Sequence, residues 1–261
     1  MRKRLALVGR IAATVGLIYL TTFGVVYIFQ DQFVFQGKPL AQDFRFDFGQ
    51  PFEEHFIKVS NQDSLHAILF KAAADARGLI LYFHGNADNL HRWGTYAVDF
   101  TSLGYDVLMI DYRGYGKSSG QPGETTFYQD AQRVYDWARD HIPHFKLVIY
   151  GRSLGAAVAS HLAVNNRAAL LFLETPFDEL KAALYGMPAR YTFSNQETIP
   201  KVTCRIVIAH GTNDWVIPLR SALRLKPLLK PTDSFVVVDG GGHNDLRHFE
   251  LYQETLRAAL R

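Results

Sequence analysis

Six short, mostly apolar runs recur along the chain from Gly78 onwards and limit its fold more than any other feature. Apolar and polar residues do not alternate within a run, so each run is expected to be buried on both faces. Stretches with helical spacing separate the runs. The sequence therefore predicts an α/β fold, with a mostly parallel central sheet and helices on both faces. The runs are LILYF (79–83), DVLMI (106–110), KLVIY (146–150), ALLFL (169–173), RIVIAH (205–210) and SFVVV (234–238).

Three further segments complete the predicted architecture. EEHFIKVS (53–60) and SLHAILFKA (64–72) predict an antiparallel hairpin at a sheet edge. TTFYQDAQRVYDWARDH (125–141) has apolar residues at helical spacing, and Thr126 with Gln129 predicts a capping box. The irregular stretch 176–200, which contains three prolines, predicts a small cap over the carboxyl edge of the sheet.

The N-terminal segment is long and apolar enough to cross a membrane. Ile11 to Phe29 is uncharged, and its 19 residues would form a helix nearly as long as the ~30 Å hydrocarbon core. Basic residues at positions 2, 3, 4 and 10 precede it, which predicts a cytoplasmic N-terminus. The remaining chain is then expected on the non-cytoplasmic side of the membrane, which is the periplasm in a bacterium. A cleaved signal peptide is the alternative, but the stretch is long and no A-x-A-like site follows it. We divide the chain into an anchor with its tether, 1–34, and one domain of the size of a catalytic domain, 35–261.

Composition excludes several classes of protein. The net charge of +3 includes the four basic residues before the apolar segment, so the rest of the chain offers no positive excess for a nucleic-acid partner. No group of Cys, His and Asp residues has the spacing of a metal site, and we expect neither a metal nor another cofactor. Cys204 is the single cysteine, which excludes an internal disulfide.

Functional residues are expected at the carboxyl ends of parallel strands. Directly after the third run, Gly151, Ser153 and Gly155 form the pattern G-x-S-x-G between a predicted strand and a predicted helix. The pattern alone is weak, but in this context it predicts a tight turn that lifts the serine Oγ clear of the sheet. The N-terminus of the following helix would favour a developing oxyanion. An ordinary N-cap serine would explain Ser153 but not both glycines.

A nucleophilic serine needs a base, and the base needs an orienting acid. His243, on the glycine-rich loop after the last run, is the predicted base. Asp214, four residues after the fifth run, is the predicted acid, because it gives the chain order Ser, Asp, His. Glu174 is the reserve acid. Asp111 is expected to fix a loop instead, and Asp239 lies too near the last strand to reach this histidine.

Two backbone N–H groups are candidates for an oxyanion hole. One is that of Leu154, and the other is that of Asn86, or of Ala87 one residue on, in the stretch HGNADN. His84 and His210 each precede a glycine at a strand end. We expect these two histidines to bond to loop backbone rather than to take part in catalysis.

In these stretches the chain resembles α/β-hydrolases of the Bem46 and ABHD13/ABHD17-like group. HGNADNL, DYRGYGKSSG, GRSLGAAVA, HGTNDWVIP and GGGHND carry the resemblance, in the family's order, from about residue 50 onwards. It implies the α/β-hydrolase fold and a serine hydrolase that acts on acyl esters or thioesters, with Ser153, Asp214 and His243 at the matching positions. The family usually has glycine in place of Asp88. We expect this carboxylate to turn away from the oxyanion site and to cap the following helix.

The predicted function is therefore that of a membrane-anchored serine hydrolase that cleaves an acyl ester or a lipid-like substrate through an acyl-enzyme. An acyl-protein or acyl-lipid thioesterase is the first alternative. A peptidase and a tethered binding protein without activity are less favoured. Apolar cap residues could line an acyl pocket, although packing of the cap on the core would explain them equally well. They are Phe177, Leu180, Leu184, Tyr185, Met187 and Tyr191.

Overall fold

A computed structural model describes residues 2–143, 146–184 and 189–261. Its centre is an eight-stranded sheet with the order β10-β9-β8-β7-β4-β6-β3-β2. All six apolar runs form strands of this sheet and run parallel to their neighbours among the six, which confirms the predicted sheet. The strands are β1 (Gln36–Gly37), β2 (Phe52–Lys58), β3 (Ser64–Phe70), β4 (Leu79–Phe83), β5 (Ala87–Asp88), β6 (Asp106–Ile110), β7 (Leu147–Arg152), β8 (Leu170–Glu174), β9 (Arg205–Gly211) and β10 (Ser234–Val238).

The two edges of the sheet differ. At one edge β2 and β3 pair antiparallel, with Phe56 opposite His66, which confirms the predicted hairpin, and β3 pairs antiparallel with β6. At the other edge, most of the β10 run is half-buried or exposed, so here the expectation of burial on both faces was wrong. Only one side of an edge strand has a neighbour in the sheet.

Helices cover both faces of the sheet, as predicted. Helices α5 and α6 pack against one face, while α3, α4 and α10 pack against the other. Side chains of β4 alternate between the two layers, with Leu81 in the first and Tyr82 in the second. The helices are α1 (Arg2–Ile28), α2 (Gln30–Val34), α3 (Leu90–Trp93), α4 (Val98–Thr101), α5 (Glu124–His141), α6 (Leu154–Asn165), α7 (Leu180–Ala183), α8 (Asn195–Thr198), α9 (Leu219–Leu223) and α10 (Glu250–Ala259), with 3-10 turns at Gly94–Tyr96, Ile199–Lys201, Lys226–Leu228 and Leu246–His248.

Helix α5 lies where the apolar spacing predicts it, but its capping box is wrong. The helix begins at Glu124, so Thr126 lies inside the first turn rather than at the N-cap. The Thr126 hydroxyl donates to the carbonyl of Gly123, 2.8 Å away. Gly123 is the N-cap residue and has no side chain with which to cap the helix.

The N-terminal helix and the body are joined through a short second helix. Ala6–Ile28 is a 23-residue candidate membrane span with a mean hydropathy of 1.9 and no burial against the rest of the chain. After Phe29, helix α2 packs on the body, with Gln30 and Val34 fully buried. The following strand, β1, pairs in parallel with β5.

The segment between β8 and β9 contains α7 and α8. Phe177 and Leu180 are buried, and the Asn195 side-chain amide donates to the Phe177 carbonyl over 2.8 Å. The Asp178 carboxylate accepts hydrogen bonds from Ser221 and Arg224, which tie the segment to α9. Residues 185–188 lie outside the described part of the chain.

We predict that Gly155→Ala lowers the free energy of unfolding by about 3 kcal/mol, the upper end of the usual cost of overpacking. A Cβ at this position would lie 2.1 Å from the carbonyl oxygen of Phe83, so backbone must move to accept it. Chemical denaturation of the purified protein measures the effect. Gly123→Ala is the control, because a Cβ there would be 3.2 Å from its nearest neighbour, a side-chain oxygen. Equal stability of the two variants would contradict the prediction.

Candidate active site

Ser153 occupies a strained turn between β7 and α6. Its φ is +53° and its ψ is −116°, a conformation that costs an L-residue of order 1–3 kcal/mol. Two glycines make the turn sterically possible. A Cβ on Gly151 would lie 2.4 Å from the carbonyl oxygen of Gly155, and a Cβ on Gly155 would clash with β4. This is the close approach of strand and helix that the G-x-S-x-G pattern predicts.

The structure brings Ser153, His243 and Asp214 together. Ser153 Oγ lies 3.1 Å from His243 Nε2, and His243 Nδ1 lies 2.7 Å from Asp214 Oδ2. A carboxylate accepts hydrogen bonds, so Nδ1 carries the proton and the neutral ring leaves Nε2 free to accept from the serine hydroxyl. The second Asp214 oxygen accepts from the backbone N–H groups of Val216 and Ile217, at 2.9 and 2.7 Å. These two hydrogen bonds fix the orientation of the Asp214 carboxylate independently of its contact with the imidazole.

Small residues let the histidine loop reach this position. A Cβ on Gly211 would lie 2.0 Å from the carbonyl oxygen of Gly241, so the end of β9 and the histidine loop are in backbone contact. Gly240 has a φ of +76°, which favours glycine. The Gly242 N–H donates to Asp245 over 2.7 Å and closes the turn. The imidazole of His243 is held at the end of a tightly packed loop.

The other acids considered for the triad have different partners. Glu174 accepts from Arg152 Nε over 3.0 Å and from the Tyr252 hydroxyl over 2.9 Å. Asp111 is fully buried and accepts from the N–H of Leu90 over 2.9 Å, which fits the expected role in fixing a loop. The carboxylate of Asp239 accepts from a threonine hydroxyl at 3.1 Å.

Arg152, the last residue of β7, links this strand to the loop that carries His243. The sequence-based predictions did not include this link. The Arg152 guanidinium is 1% exposed, and Nη2 donates to the His243 carbonyl over 2.5 Å and to Asn244 Oδ1 over 2.9 Å. Burial is the largest single effect on the pKa of Arg152 and acts to lower it, but the Glu174 carboxylate and three neighbouring tyrosines together outweigh burial, so the pKa is raised and the group stays charged. The guanidinium also lies over the ring of Trp93, 4.7 Å from its centre. The sequence did contain a signal for this role, because Arg152 is a charged residue directly after the apolar run 146–150 and Gly151.

The two predicted oxyanion donors both border the cavity at Ser153. His84 Nδ1 donates to the Gly85 carbonyl over 2.7 Å. In a planar trans peptide, the Asn86 N–H points away from that carbonyl, so the buried imidazole sets its direction. Leu154 is the first residue of α6, where an N–H has no partner within the helix. Asn86 and Leu154 line the cavity together with Ser153.

His210 also bonds to loop backbone. Its Nε2 donates over 2.8 Å to the carbonyl of Ile217, the residue whose N–H donates to Asp214. Burial lowers the pKa of His210, so the ring is neutral at pH 7. His210 thus supports the loop after Asp214 through a hydrogen bond, and as a neutral ring it does not form an ion pair with the Asp214 carboxylate.

Asp88 does not cap the following helix, so that expectation was wrong. Asn89 is the N-cap residue of α3, and its side chain accepts from the N–H of His91 over 2.9 Å. Asp88 has a φ of +71°, the left-handed conformation that explains why glycine suits this position. Its carboxylate points to Lys38 and Arg92, at 3.2 and 3.7 Å.

A cavity of about 160 Å³ opens beside Ser153. Three of the predicted pocket residues, Phe177, Leu180 and Leu184, line it. Tyr191 is not among its lining residues, because it packs on Phe35 with ring centres 5.0 Å apart and donates its hydroxyl to Asp31 over 2.7 Å. The other two predicted residues, Tyr185 and Met187, lie outside the described residues.

Sequence reasoning missed the rest of the cavity wall. Phe33, Val34 and Gln36 come from α2 and β1, and Val216 and Ile217 follow the predicted acid directly. Two larger cavities, of about 260 and 270 Å³, lie elsewhere, and Ser153 lines neither of them. The small cavity at Ser153 therefore combines an apolar wall with the predicted nucleophile.

Comparison with known proteins agrees with this fold. Residues 78–193 match the family model described as the α/β hydrolase fold. The esterase Pf2001 of Pyrococcus furiosus superimposes with a TM-score of 0.71 at 16% identity, over 87% of this chain and 96% of the esterase. The protein is thus an α/β-hydrolase in fold.

Two curated relatives narrow the comparison. The chain is 32% identical over 193 residues to the lysophosphatidylserine lipase ABHD12 of Macaca fascicularis, which covers 63% of this chain and 48% of the lipase. It is 28% identical over 207 residues to the α/β hydrolase domain-containing protein 17B of Xenopus tropicalis, over 77% of this chain and 72% of that protein. The chain thus spans about half the length of the first relative and nearly three quarters of the second. The chain thus has the α/β-hydrolase fold and is similar in sequence to these two ABHD proteins.

We predict that Arg152→Lys lowers kcat for a p-nitrophenyl ester by about 10- to 100-fold with little change in KM, because a small displacement of the base is costly. A lysine ammonium lacks the planar fork that reaches Glu174 and the His243 carbonyl together. Steady-state kinetics well below the unfolding temperature measure the split. Arg139→Lys, at an exposed ion pair with Asp140, is the control. A lower unfolding temperature with unchanged kcat would assign Arg152 a purely structural role.

Proposed function

We propose that the protein is a membrane-anchored serine hydrolase that cleaves carboxylic esters of acyl chains. The contact between Ser153 Oγ and His243 Nε2, with Asp214 on the far side of the imidazole, carries the proposal. The apolar cavity at the same serine supports an acyl group as the part of the substrate that is bound. The relative named as a lipase supports a lipid-like ester.

The geometry allows a two-step acyl transfer. His243 takes the Ser153 proton while Oγ forms a bond to the ester carbonyl carbon, and the carbonyl oxygen becomes an oxyanion. The N–H groups of Asn86 and Leu154 would stabilise that charge, each by about 3–4 kcal/mol in the transition state. The C–O bond of the ester then breaks, and the leaving alcohol takes the proton from His243. Water, deprotonated by the same histidine, releases the acid and restores the serine. Asp214 stabilises the imidazolium in both steps.

The proposed anchor is the N-terminal helix α1. Its candidate span, Ala6–Ile28, would extend about 35 Å at the usual helical rise, enough to cross the hydrocarbon core. Basic residues at positions 2, 3, 4 and 10 favour an N-terminus in the cytoplasm and a body on the opposite side.

We predict that a fluorophosphonate probe labels the wild-type protein and does not label Ser153→Ala. The probe forms a covalent bond with an activated serine, and Ser153 is the serine that contacts a histidine base. Gel fluorescence measures the labelling. Ser102→Ala, at an exposed hydroxyl, is the matched control and should label like the wild type.

Equal labelling of wild type and Ser153→Ala, or labelling of neither, would refute the proposal. The same preparation can then be assayed with p-nitrophenyl esters of increasing chain length and with the corresponding acyl thioesters. Faster turnover of the thioesters would assign the protein to the thioesterases, which share the nucleophile and base and differ in the leaving group.

We predict that a reporter fused after Arg261 is inactive when it requires the cytoplasm and active when it requires the opposite side. The charge bias around α1 sets this orientation. The activity of each reporter is measured in cells that carry the corresponding fusion. Replacement of the four basic residues at positions 2, 3, 4 and 10 by glutamine is the control, and it should weaken the preference. Activity of the cytoplasmic reporter in the unmutated fusion would reverse the proposed topology.

A further inference from the structure

The wall of the cavity at Ser153 is completed by the segment that follows the candidate membrane helix. Phe33 and Val34, from α2, line the cavity together with Phe177 and Leu180. Only Phe29 separates α1 from α2. The residues that directly follow the proposed anchor in the sequence thus form part of the proposed substrate site.

Helix α2 is fixed to the body by several contacts. Gln30 is fully buried and its side-chain carbonyl accepts from the backbone N–H of Arg190. The Asp31 carboxylate pairs with the Arg190 guanidinium at 3.2 Å and accepts from the Tyr191 hydroxyl at 2.7 Å. Phe35 packs edge-on against Phe127, 5.3 Å between ring centres. The position of α2 relative to Ser153 is therefore set by packing rather than by a flexible linker.

The outer edge of the cavity is apolar and exposed. Phe33 and Val216 line the cavity and are nevertheless 50% and 49% exposed, so each has one side in the cavity and one side at the surface. Trp215, next to Val216, is 84% exposed. We call Phe33, Trp215 and Val216 the rim. Aromatic side chains with a polar atom, such as tryptophan, favour the interface between membrane and water.

The rim lies close to the end of the proposed membrane span. Phe33 follows Ile28 by five residues, which limits their separation to about 18 Å even in a fully extended chain. Four of those five residues belong to the short helix α2, where the rise is about 1.5 Å per residue. A helix of Ala6–Ile28 exceeds the ~30 Å hydrocarbon core, so its end reaches the headgroup region. The rim is then at the surface of the bilayer.

The cavity is too small for a whole lipid. Pockets for drug-sized ligands measure about 300–1,000 Å³, and an apolar cavity of about 150 Å³ holds one benzene molecule. The 160 Å³ at Ser153 therefore accommodates only about six carbon atoms of a chain. A longer acyl chain must leave part of its length outside, where an apolar rim at the bilayer surface would keep it in lipid.

We propose that the rim of Phe33, Trp215 and Val216 docks on the membrane surface, and that the substrate is an acyl ester resident in that bilayer which enters the cavity directly from lipid. This inference rests on the proposed hydrolase function. It assigns α2 two roles, because the same helix positions the rim and forms one wall of the cavity.

Fluorescence quenching by lipid tests the docking without reference to activity. The full-length protein is reconstituted in phosphatidylcholine vesicles in which the lipid carries bromine near the headgroup end of its chains. Among the three tryptophans, Trp93 is buried and Trp137 is half-buried in the body. We expect about a third of the tryptophan emission to be quenched, as one of three residues contacts lipid. Trp215→Phe should remove this quenching, and an unquenched wild type would overturn the proposal.

The route of the substrate is tested by a ratio of two rates in vesicles. One rate is the hydrolysis of p-nitrophenyl palmitate embedded in the bilayer, and the other that of p-nitrophenyl acetate in water. We expect Phe33→Ser to lower the ratio by about tenfold or more, the loss predicted when one aromatic side chain is no longer buried in lipid. Phe56→Ser is the control, because Phe56 is equally exposed, at 53%, on the distant edge strand β2.

The outcomes separate the two proposals. An equal ratio in both variants would overturn entry from lipid. A wild type that hydrolyses neither ester and reacts with no fluorophosphonate would refute the hydrolase function, while the quenching result would still decide whether the rim docks on the membrane.

Discussion

Backbone meets backbone where α6 begins, since Gly155 lies against the carbonyl oxygens of Phe83 and His84 with no space for a Cβ. This contact places the start of α6 directly beside the end of β4. The Leu154 N–H and the Asn86 N–H consequently border one cavity. The same packing holds Ser153 at a positive φ, and its N–H donates to the Glu174 carbonyl over 2.9 Å. The strain at the serine persists because the surrounding backbone determines it.

A buried charge connects this turn to the base. Arg152 ends β7, and its guanidinium reaches the carbonyl of His243 on the loop after β10, across the width of β8 and β9. The buried ion pair of Arg152 and Glu174 need not stabilise the fold, since apolar residues of similar size at such positions often give equal or greater stability. What an apolar pair cannot do is donate to a loop carbonyl. The ion pair therefore holds the guanidinium of Arg152 in place, and this fixes the distance between the His243 imidazole and the end of β7.

Local patterns predicted most of the sheet, because each apolar run is a strand, and they selected Ser153, Asp214 and His243, which the structure brings into contact. The same reasoning placed a capping box at Thr126 although the helix begins earlier, at Glu124. It also could not find Phe33 as part of the cavity. That position depends on contacts such as Asp31 with Tyr191, which are 160 residues apart and have no local signal. Asp88 is intermediate, because the family's preference for glycine marked the position, but its φ of +71° came from the fold.

The stem between α1 and the sheet belongs to the cavity at Ser153 as much as to the proposed anchor. Val34 lies in the hydrophobic core and Phe33 lines the cavity, so adjacent residues of α2 contribute to stability and to the cavity wall. The next strand, β1, continues this link, since the Gln36 N–H donates to the Asn86 carbonyl over 2.9 Å. A fragment that lacks the first 34 residues would lose core packing and one side of the cavity together. The cavity of such a fragment would be more open than that of the full chain, because Phe33 and Val34 would no longer limit the space beside Ser153.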